Sequence, residues 1–490
     1  MELSEKDYTH KWYVMAAISM GILLATIDGS IVNIALPTLV RELDTDFATV
    51  QWVVLAYLLT LAVLLLSVGR LADMIGKKRI YTLGFVGFTI GSFLCGLATS
   101  VYFLILFRVV QAIGAAMILA LGVAIVTESF PKKERGMALG ITGTVVSVGI
   151  VIGPTLGGII IDVLSWHWIF FVNIPVGILG ILMVIRFVPA IKPVGKQHFD
   201  FQGAVTLFIS LFAFLIALTV GQNVGFSDYR TIVLLLVWAV FLGIFIFIEK
   251  RVWQPMIDLT LFRNSLFSIN LVTGFLTFIA IAGMFILLPF YLENILGYST
   301  RQVGLLIAVI PISMGAIAPI AGVLSDKFGT RVITFIGLAC LLFGYTFLTS
   351  LSDETSTMAF ILLLLPIGIG MGIFQSPNNS AIMGAAPPDK LGIVSGMLAL
   401  TRTLGQSTGI AIIGAIWAAL TFRYAGAVQV ASATDAPALA QVSALQNTFM
   451  FMAIMSLFSL LLAGWALIKE RQMKMNTRAM KEEPIAEKIV

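Results

Sequence analysis

Three charged side chains stand alone in long apolar runs. Asp28 is the only charge between Lys11 and Arg41, Arg108 the only one between Arg79 and Glu128, and Arg402 the only one between Lys390 and Arg423. A charge carried to the middle of a membrane-spanning helix costs roughly 2.5–3.5 kcal/mol to insert, so such residues are functional candidates. In a closed, low-dielectric cavity a carboxylate favours its neutral, proton-bearing form, and a nearby cation favours the ionised form. A lone aspartate can therefore take up a proton and release it when a cation enters or the cavity opens, which suffices for exchange. A purely structural role stands beside this, with Asp28 bonded to neighbouring backbone or to Asn33. Arg108 lies about six residues into its apolar run, where it either carries a function or snorkels to the interface. Arg402 is suited to an anionic head group or to a backbone carbonyl.

The elements that position these charges follow from composition. The 490 residues are 59% hydrophobic and 11% charged, against about 25% charged in a soluble domain. That is too little polar surface to cover a soluble globule. Apolar runs of about 20 residues without strict alternation point to an all-α integral membrane protein and exclude a barrel. Fourteen spans are expected near 12–36, 48–69, 80–99, 102–125, 136–161, 168–188, 202–221, 230–249, 268–291, 302–325, 332–350, 357–383, 392–417 and 447–468. The leading MELSEKDYTHK carries both signs, and the run after it is too long for a signal peptide, so the first helix is expected to stay.

Cys95 and Cys340 lie inside apolar runs, and His10, His167 and His198 are scattered, which implies neither a disulfide framework nor a metal site. An even number of spans brings both termini to one side. With that side cytoplasmic, only Arg41, Arg230, Arg301 and Arg423 fall in outer loops and Arg108 and Arg402 within spans, leaving 24 of the 30 Lys and Arg inside. This is a strong positive-inside pattern. The net charge of +5 reflects it and carries no nucleic-acid signal.

An internal repeat divides the chain. GRLADMIGKKRI (69–80) returns as GVLSDKFGTRVI (322–333), matching Gly69, Leu71, Asp73 and Gly76 to Gly322, Leu324, Asp326 and Gly329. Gly136, Gly140, Gly149 and Gly153 recur as Gly392, Gly396, Gly405 and Gly409. Two six-helix halves therefore bracket an extra pair of spans, an arrangement suited to transport by rocking one half on the other. No Ser/His/Asp, His-rich or paired-carboxylate constellation appears within the spans, so a membrane enzyme is not expected.

GRLADMIGKKR resembles the loop between the second and third helices of the major facilitator superfamily, with Met74 in place of the usual basic residue. GIVIGPTLGG (149–158) resembles the glycine signature of that superfamily's antiporters. RVVQAIGAAM resembles its fourth-helix motif, with Ala112 replacing the first glycine. DGSIVNIALP and WHWIFFVNIPVGI resemble the fourteen-helix drug:proton antiporter branch. The resemblance covers residues 10–470 and implies the major facilitator fold, with two six-helix bundles plus two extra central helices. Residues 1–190 form the first bundle, 191–262 the two-helix insertion with its linkers, 263–470 the second bundle and 471–490 a cytoplasmic tail.

The function implied is proton-coupled export of amphipathic drugs or other hydrophobic compounds by alternating access, driven by the proton gradient without a cofactor. Asp28 and Arg108 then couple the proton. Gly69, Asp73, Gly76, Lys77, Arg79, Glu128, Asp326 and Arg331 gate, and Gly149, Gly153, Pro154, Gly157 and Gly158 form a hinge. Asn33, Trp52, Tyr57, Gln111, Met117, Met284, Phe285, Gln375, Asn378, Asn379, Arg402 and Gln406 line the substrate cavity. An exporter or flippase of a lipid or other amphipathic anion, using Arg108 and Arg402, is the alternative. The partners implied are the small substrate and the lipid bilayer of the inner membrane, with no nucleic acid. The chain is expected to be a monomer, and a periplasmic adaptor is left open.

Overall fold

The computed structural model describes residues 9–45, 47–190, 199–253, 255, 257–298, 300–426, 433 and 436–486, and every regular element among them is helical. The helices are α1 (Lys11–Glu42), α2 (Phe47–Ile75), α3 (Lys77–Gly96), α4 (Val101–Ser129), α5 (Arg135–Val163), α6 (Trp168–Phe171) and α7 (Asn173–Phe187). They continue as α8 (Phe201–Val224), α9 (Tyr229–Glu249), α10 (Ser265–Phe290), α11 (Thr300–Ile307), α12 (Val309–Phe328), α13 (Thr330–Leu348), α14 (Thr357–Gly384), α15 (Leu391–Ala425) and α16 (Ala438–Ala486). Fourteen stretches are long and apolar enough to cross a membrane, α6 with α7 and α11 with α12 each making one. These correspond to the fourteen spans expected from hydropathy. α1, α15 and α16 run past the apolar windows because a helix satisfies its own backbone and continues beyond the hydrocarbon.

Local signals set several starts. Ser100, Asp200, Asp228, Asn264 and Ser356 accept backbone N–H bonds in the first turns of α4, α8, α9, α10 and α14, satisfying donors a helix cannot use itself. The repeat-related glycines Gly76 and Gly329 sit at φ 110° and 91°, where a side chain is strained. They turn α2 into α3 and α12 into α13.

One core is built from α1–α5 and continues into α15, and a second lies within α10–α16. The halves meet where α2 packs on α15 and α5 on α12. Glycines make these seams close. A Cβ on Gly69 would lie 2.6 Å from the Gly392 carbonyl, and one on Gly136 2.5 Å from the Gly322 carbonyl. A turn deeper, Gly396 faces the Leu65 carbonyl at 2.7 Å and Gly140 the Ala318 carbonyl at 2.5 Å. The sequence repeats are therefore joined crosswise, the loop glycine of each half against the fifth-helix glycine of the other. α8 packs on α9 and touches both α2 and α15, placing the inserted pair beside one seam. In the linker behind it, Asp258 accepts from Lys390 at 2.5 Å. Burial pushes the Asp258 carboxyl up, but hydrogen bonds from Lys390 and Thr260 pull it down to about 2. This tie therefore contributes fully above an unfolded value near 3.8 and is lost only as pH falls toward 2.

Because backbone opposes the missing Cβ, Gly69→Val is expected to hold the α2–α15 seam open. Gly158→Val, with nothing within 4 Å of its Cβ, should leave it closed. Maleimide labelling of a cysteine at the buried Ser395 checks this: labelling should rise with Gly69→Val and not with Gly158→Val.

Candidate functional site

The two lone charges of the first half meet. Arg108 on α4 donates to Asp28 Oδ2 on α1 at 2.6 Å, with side-chain exposures of 1% and 0%. Gln111, one turn on from Arg108, donates to Asp28 Oδ1 at 2.8 Å and accepts from Arg108 at 2.6 Å. Asn173 on α7 donates to Asp28 Oδ1 at 3.3 Å. Gln111 and Asn173 both donate to Ser92 Oγ of α3, at 2.6 and 3.1 Å. Arg108 Nε donates to the Val53 carbonyl of α2 at 3.2 Å. Donors thus reach both oxygens of Asp28. The Tyr57 ring lies 4.1 Å from the Arg108 guanidinium, a cation–π contact, and its hydroxyl is buried without a hydrogen-bond partner. Five helices thus converge on one ion pair, and Arg108 does not snorkel.

Beside this cluster a cavity of about 340 Å³ lies between the halves. Its walls differ. The first half supplies mainly apolar groups, among them Ile22, Ala25, Leu58, Leu61, Leu65, Val123, Val146 and Ile150. The hydroxyls of Thr26, Ser30 and Thr142 on that wall donate to carbonyls of their own helices. The second half supplies five amides, Asn270, Gln375, Asn378, Asn379 and Gln406, and the cation Arg402. Among the described residues no Asp or Glu lines the cavity. Tyr57 belongs to both sites, facing the cavity and Arg108.

Beyond the cavity, on the side of the chain termini, the seams carry two carboxylate clasps. Asp73 accepts from Gly392 and Ile393 N–H at the start of α15, at 2.9 and 2.8 Å. Asp326 accepts from Gly136 and Met137 N–H at the start of α5, at 3.0 and 3.1 Å. Each acid thus caps a helix N-terminus of the other half, where orphan donors and the helix dipole favour an anion. Lys77 bridges Asp73 and Glu128, at 2.9 Å to each. Ser376 adds a bond to the Gly136 carbonyl at 2.8 Å, and Thr144 one to the Gly315 carbonyl at 2.7 Å.

The expected site residues divide accordingly. Tyr57, Gln375, Asn378, Asn379, Arg402 and Gln406 line the cavity. Gln111 belongs to the ion-pair cluster instead. Trp52 is 41% exposed, Met284 is buried in the second-half core with Phe285 packed against it, and Met117 packs in the first-half core. Helix packing claims Met117, Met284 and Phe285 before the cavity does, while Trp52 is turned outward. Arg79 is exposed and outside the clasp, and Arg331 pairs with Glu470 within its own half. Gly149, Gly153 and Gly157 form a close-packing face against Thr26, Ser30 and Ile31 of α1, whereas Gly158 faces open space. α5 is continuous through this stretch, so its glycines act here as a seam rather than a break. The side chains of Asn33 and Pro154 lie outside the described residues. Sequence reasoning missed Asn173 and Ser92. The signal for Asn173 was an amide inside the apolar WHWIFFVNIPVGI, while a serine such as Ser92 is too common in helices to stand out.

The profile described as Major Facilitator Superfamily matches residues 18–410. The chain is 38% identical over 411 residues to the riboflavin transporter RibZ of Clostridioides difficile (strain 630), covering 83% of this chain and 88% of that one. It is 33% identical over 406 residues to the multidrug resistance protein Stp of Mycobacterium tuberculosis (strain CDC 1551 / Oshkosh), covering 83% and 75%. Its fold is similar to that of the human organic anion transporter MFSD10 (TETRAN), with a TM-score of 0.68, 16% identity, and coverage of 92% of this chain and 99% of that one.

Removing one partner of a buried ion pair strands the other charge, at a cost of about 3–5 kcal/mol. Asp28→Asn is therefore expected to lower thermal stability in detergent, and Asp28→Asn/Arg108→Gln to recover most of the loss. Melting curves of the three proteins check this; additive losses would contradict a coupled pair.

Proposed function

The chain belongs to the major facilitator superfamily and is a transporter, not an enzyme; from that premise we propose that it exports amphipathic drugs or other hydrophobic compounds in exchange for protons. The observation that carries this reading is the Asp28–Arg108 pair, buried beside a substrate-sized cavity and separated from it by Tyr57. Proton uptake by Asp28 removes the negative partner of Arg108 and leaves a guanidinium uncompensated in a low-dielectric interior. α4 and α1 must then shift against each other. Both helices feed a clasp. α1 packs through the glycine face onto α5, whose first turn is held by Asp326. α4 ends near Glu128, which shares Lys77 with Asp73.

Proton and substrate occupy separate sites, the proton site lying outside the cavity lining, so exchange runs through alternation of the two halves. A cation cannot reach Asp28 here without displacing Arg108, which replaces direct competition at one carboxylate as the coupling mechanism. The Lys/Arg bias supports cytoplasmic termini in the inner membrane. On that orientation the clasps close the cytoplasmic side, and the state described is outward-facing. The chain works as a monomer on the proton gradient, with no cofactor. The names of its relatives, a riboflavin transporter and a multidrug resistance protein, support a mid-sized amphipathic cargo. The alternative, export of a lipid or other amphipathic anion, is supported at Arg402 alone, because Asp28 neutralises Arg108.

Dye–proton exchange in proteoliposomes, driven by an imposed pH gradient, tests this. Wild type should exchange a neutral or anionic amphipathic dye for protons. Asp28→Asn at matched monodispersity should lose the dye-dependent proton movement, and retained exchange would overturn the coupling role of Asp28.

A further inference from the structure

We propose that Arg402 and the carboxamides around it form a head-group site, and that the cavity takes an amphiphile whose polar edge is anionic or dense in carbonyl acceptors, in preference to a cation. The inference deepens the export reading and rests on it only in taking this cavity as the substrate's.

Arg402 is the one cation among the described lining residues, with no acid beside it. Its guanidinium lies 6.0 Å from the Phe278 ring, and no hydrogen bond or ion pair occupies it among the described residues. A guanidinium facing a low-dielectric cavity without a counter-anion favours a ligand that supplies one, or that presents paired carbonyl oxygens to its planar fork. Asp28 cannot serve as that anion, because Arg108 and two amides hold it outside the lining.

The neighbours of Arg402 complete the donor and acceptor pattern. Asn378 donates to the Asn270 carbonyl at 3.2 Å, which leaves its Oδ1 buried and without a donor. Ser395 Oγ, on the same wall, is also unpartnered. Buried polar atoms without partners are rare in proteins and mark places where a ligand or water completes the bonding. The head group that fits therefore presents acceptors to Arg402 and an N–H or O–H to Asn378. The opposite wall is mainly apolar, its Thr and Ser hydroxyls bonded within their own helices, and receives the apolar body. A cation bound there would meet Arg402 with no compensating acid, a like-charge penalty that acts as specificity.

Equilibrium binding to the purified full chain in a non-ionic detergent tests this without any proton gradient. Three xanthene dyes share a ring system: fluorescein, carrying a carboxylate, its neutral methyl ester ether, and the cationic rhodamine 6G. Wild type should bind fluorescein at least about tenfold more tightly than rhodamine 6G, with the neutral dye between. Arg402→Gln should weaken fluorescein by about tenfold to a hundredfold, the range for losing a hydrogen bond to a charged group, and leave rhodamine 6G unchanged or tighter. Arg402→Lys should retain part of the preference. Wild-type protein binding rhodamine 6G as tightly as fluorescein would overturn the proposal, and that comparison needs no variant to fold.

Discussion

Everything in the first half is arranged around one buried ion pair. Asp28 and Arg108 cannot be left unpaired in a membrane interior, since each ion taken from water and left alone costs several kcal/mol. The hydrogen-bond partners on α2, α3, α4 and α7 exist to complete that pair, and five helices are thereby held in one register. Such a cluster resists gradual deformation. It is either closed, or it reorganises when the carboxylate is neutralised. In the proposed exchange, a proton at Asp28 is the trigger for a movement of whole helices.

In the proposed mechanism the clasps translate this into access. Each places a carboxylate of one half on the N-terminal N–H groups of a helix in the other, and the sequence repeat makes them a crosswise pair. They are not equal. Thr330 and Gly384 stand where Lys77 and Glu128 stand in the first half, so the Lys77 bridge of the Asp73 clasp has no counterpart at those positions beside Asp326. The first seam is also the one touched by α8, and the α15 that Asp73 caps follows directly from Lys390, tied to the linker at Asp258. The inserted pair thus reinforces the α2–α15 seam, while the α5–α12 seam is held by Asp326 and by the Ser376 and Thr144 hydrogen bonds.

Much of this was legible in the sequence. Lone charges in apolar runs named Asp28, Arg108 and Arg402, and the repeated glycines and aspartates named the seams and clasps. Hydropathy gave fourteen spans, because burial of backbone in hydrocarbon leaves the helix as the only choice. What could not be read was which of 35 phenylalanines and 20 methionines faces a cavity. Met117, Met284 and Phe285 illustrate this: an apolar side chain suits a core, a cavity wall or lipid equally. The pairing of Asp28 with Arg108, 80 residues away, and the contrast between the two cavity walls belong to the tertiary structure. So does the packing role of Gly149, Gly153 and Gly157, which a motif alone does not distinguish from a hinge.

The most direct test of linkage between the ion pair and the clasps is a distance measured across the terminal face. Spin labels at the exposed positions Arg79 and Lys327, in a background lacking Cys95 and Cys340, report the separation of the halves by double electron–electron resonance. Wild type at neutral pH should give the short, clasped distance. Asp28→Asn, or acidification, should shift the distribution to longer distances as the clasps part. An unchanged distribution under both conditions would contradict the link between the charge pair and the gate.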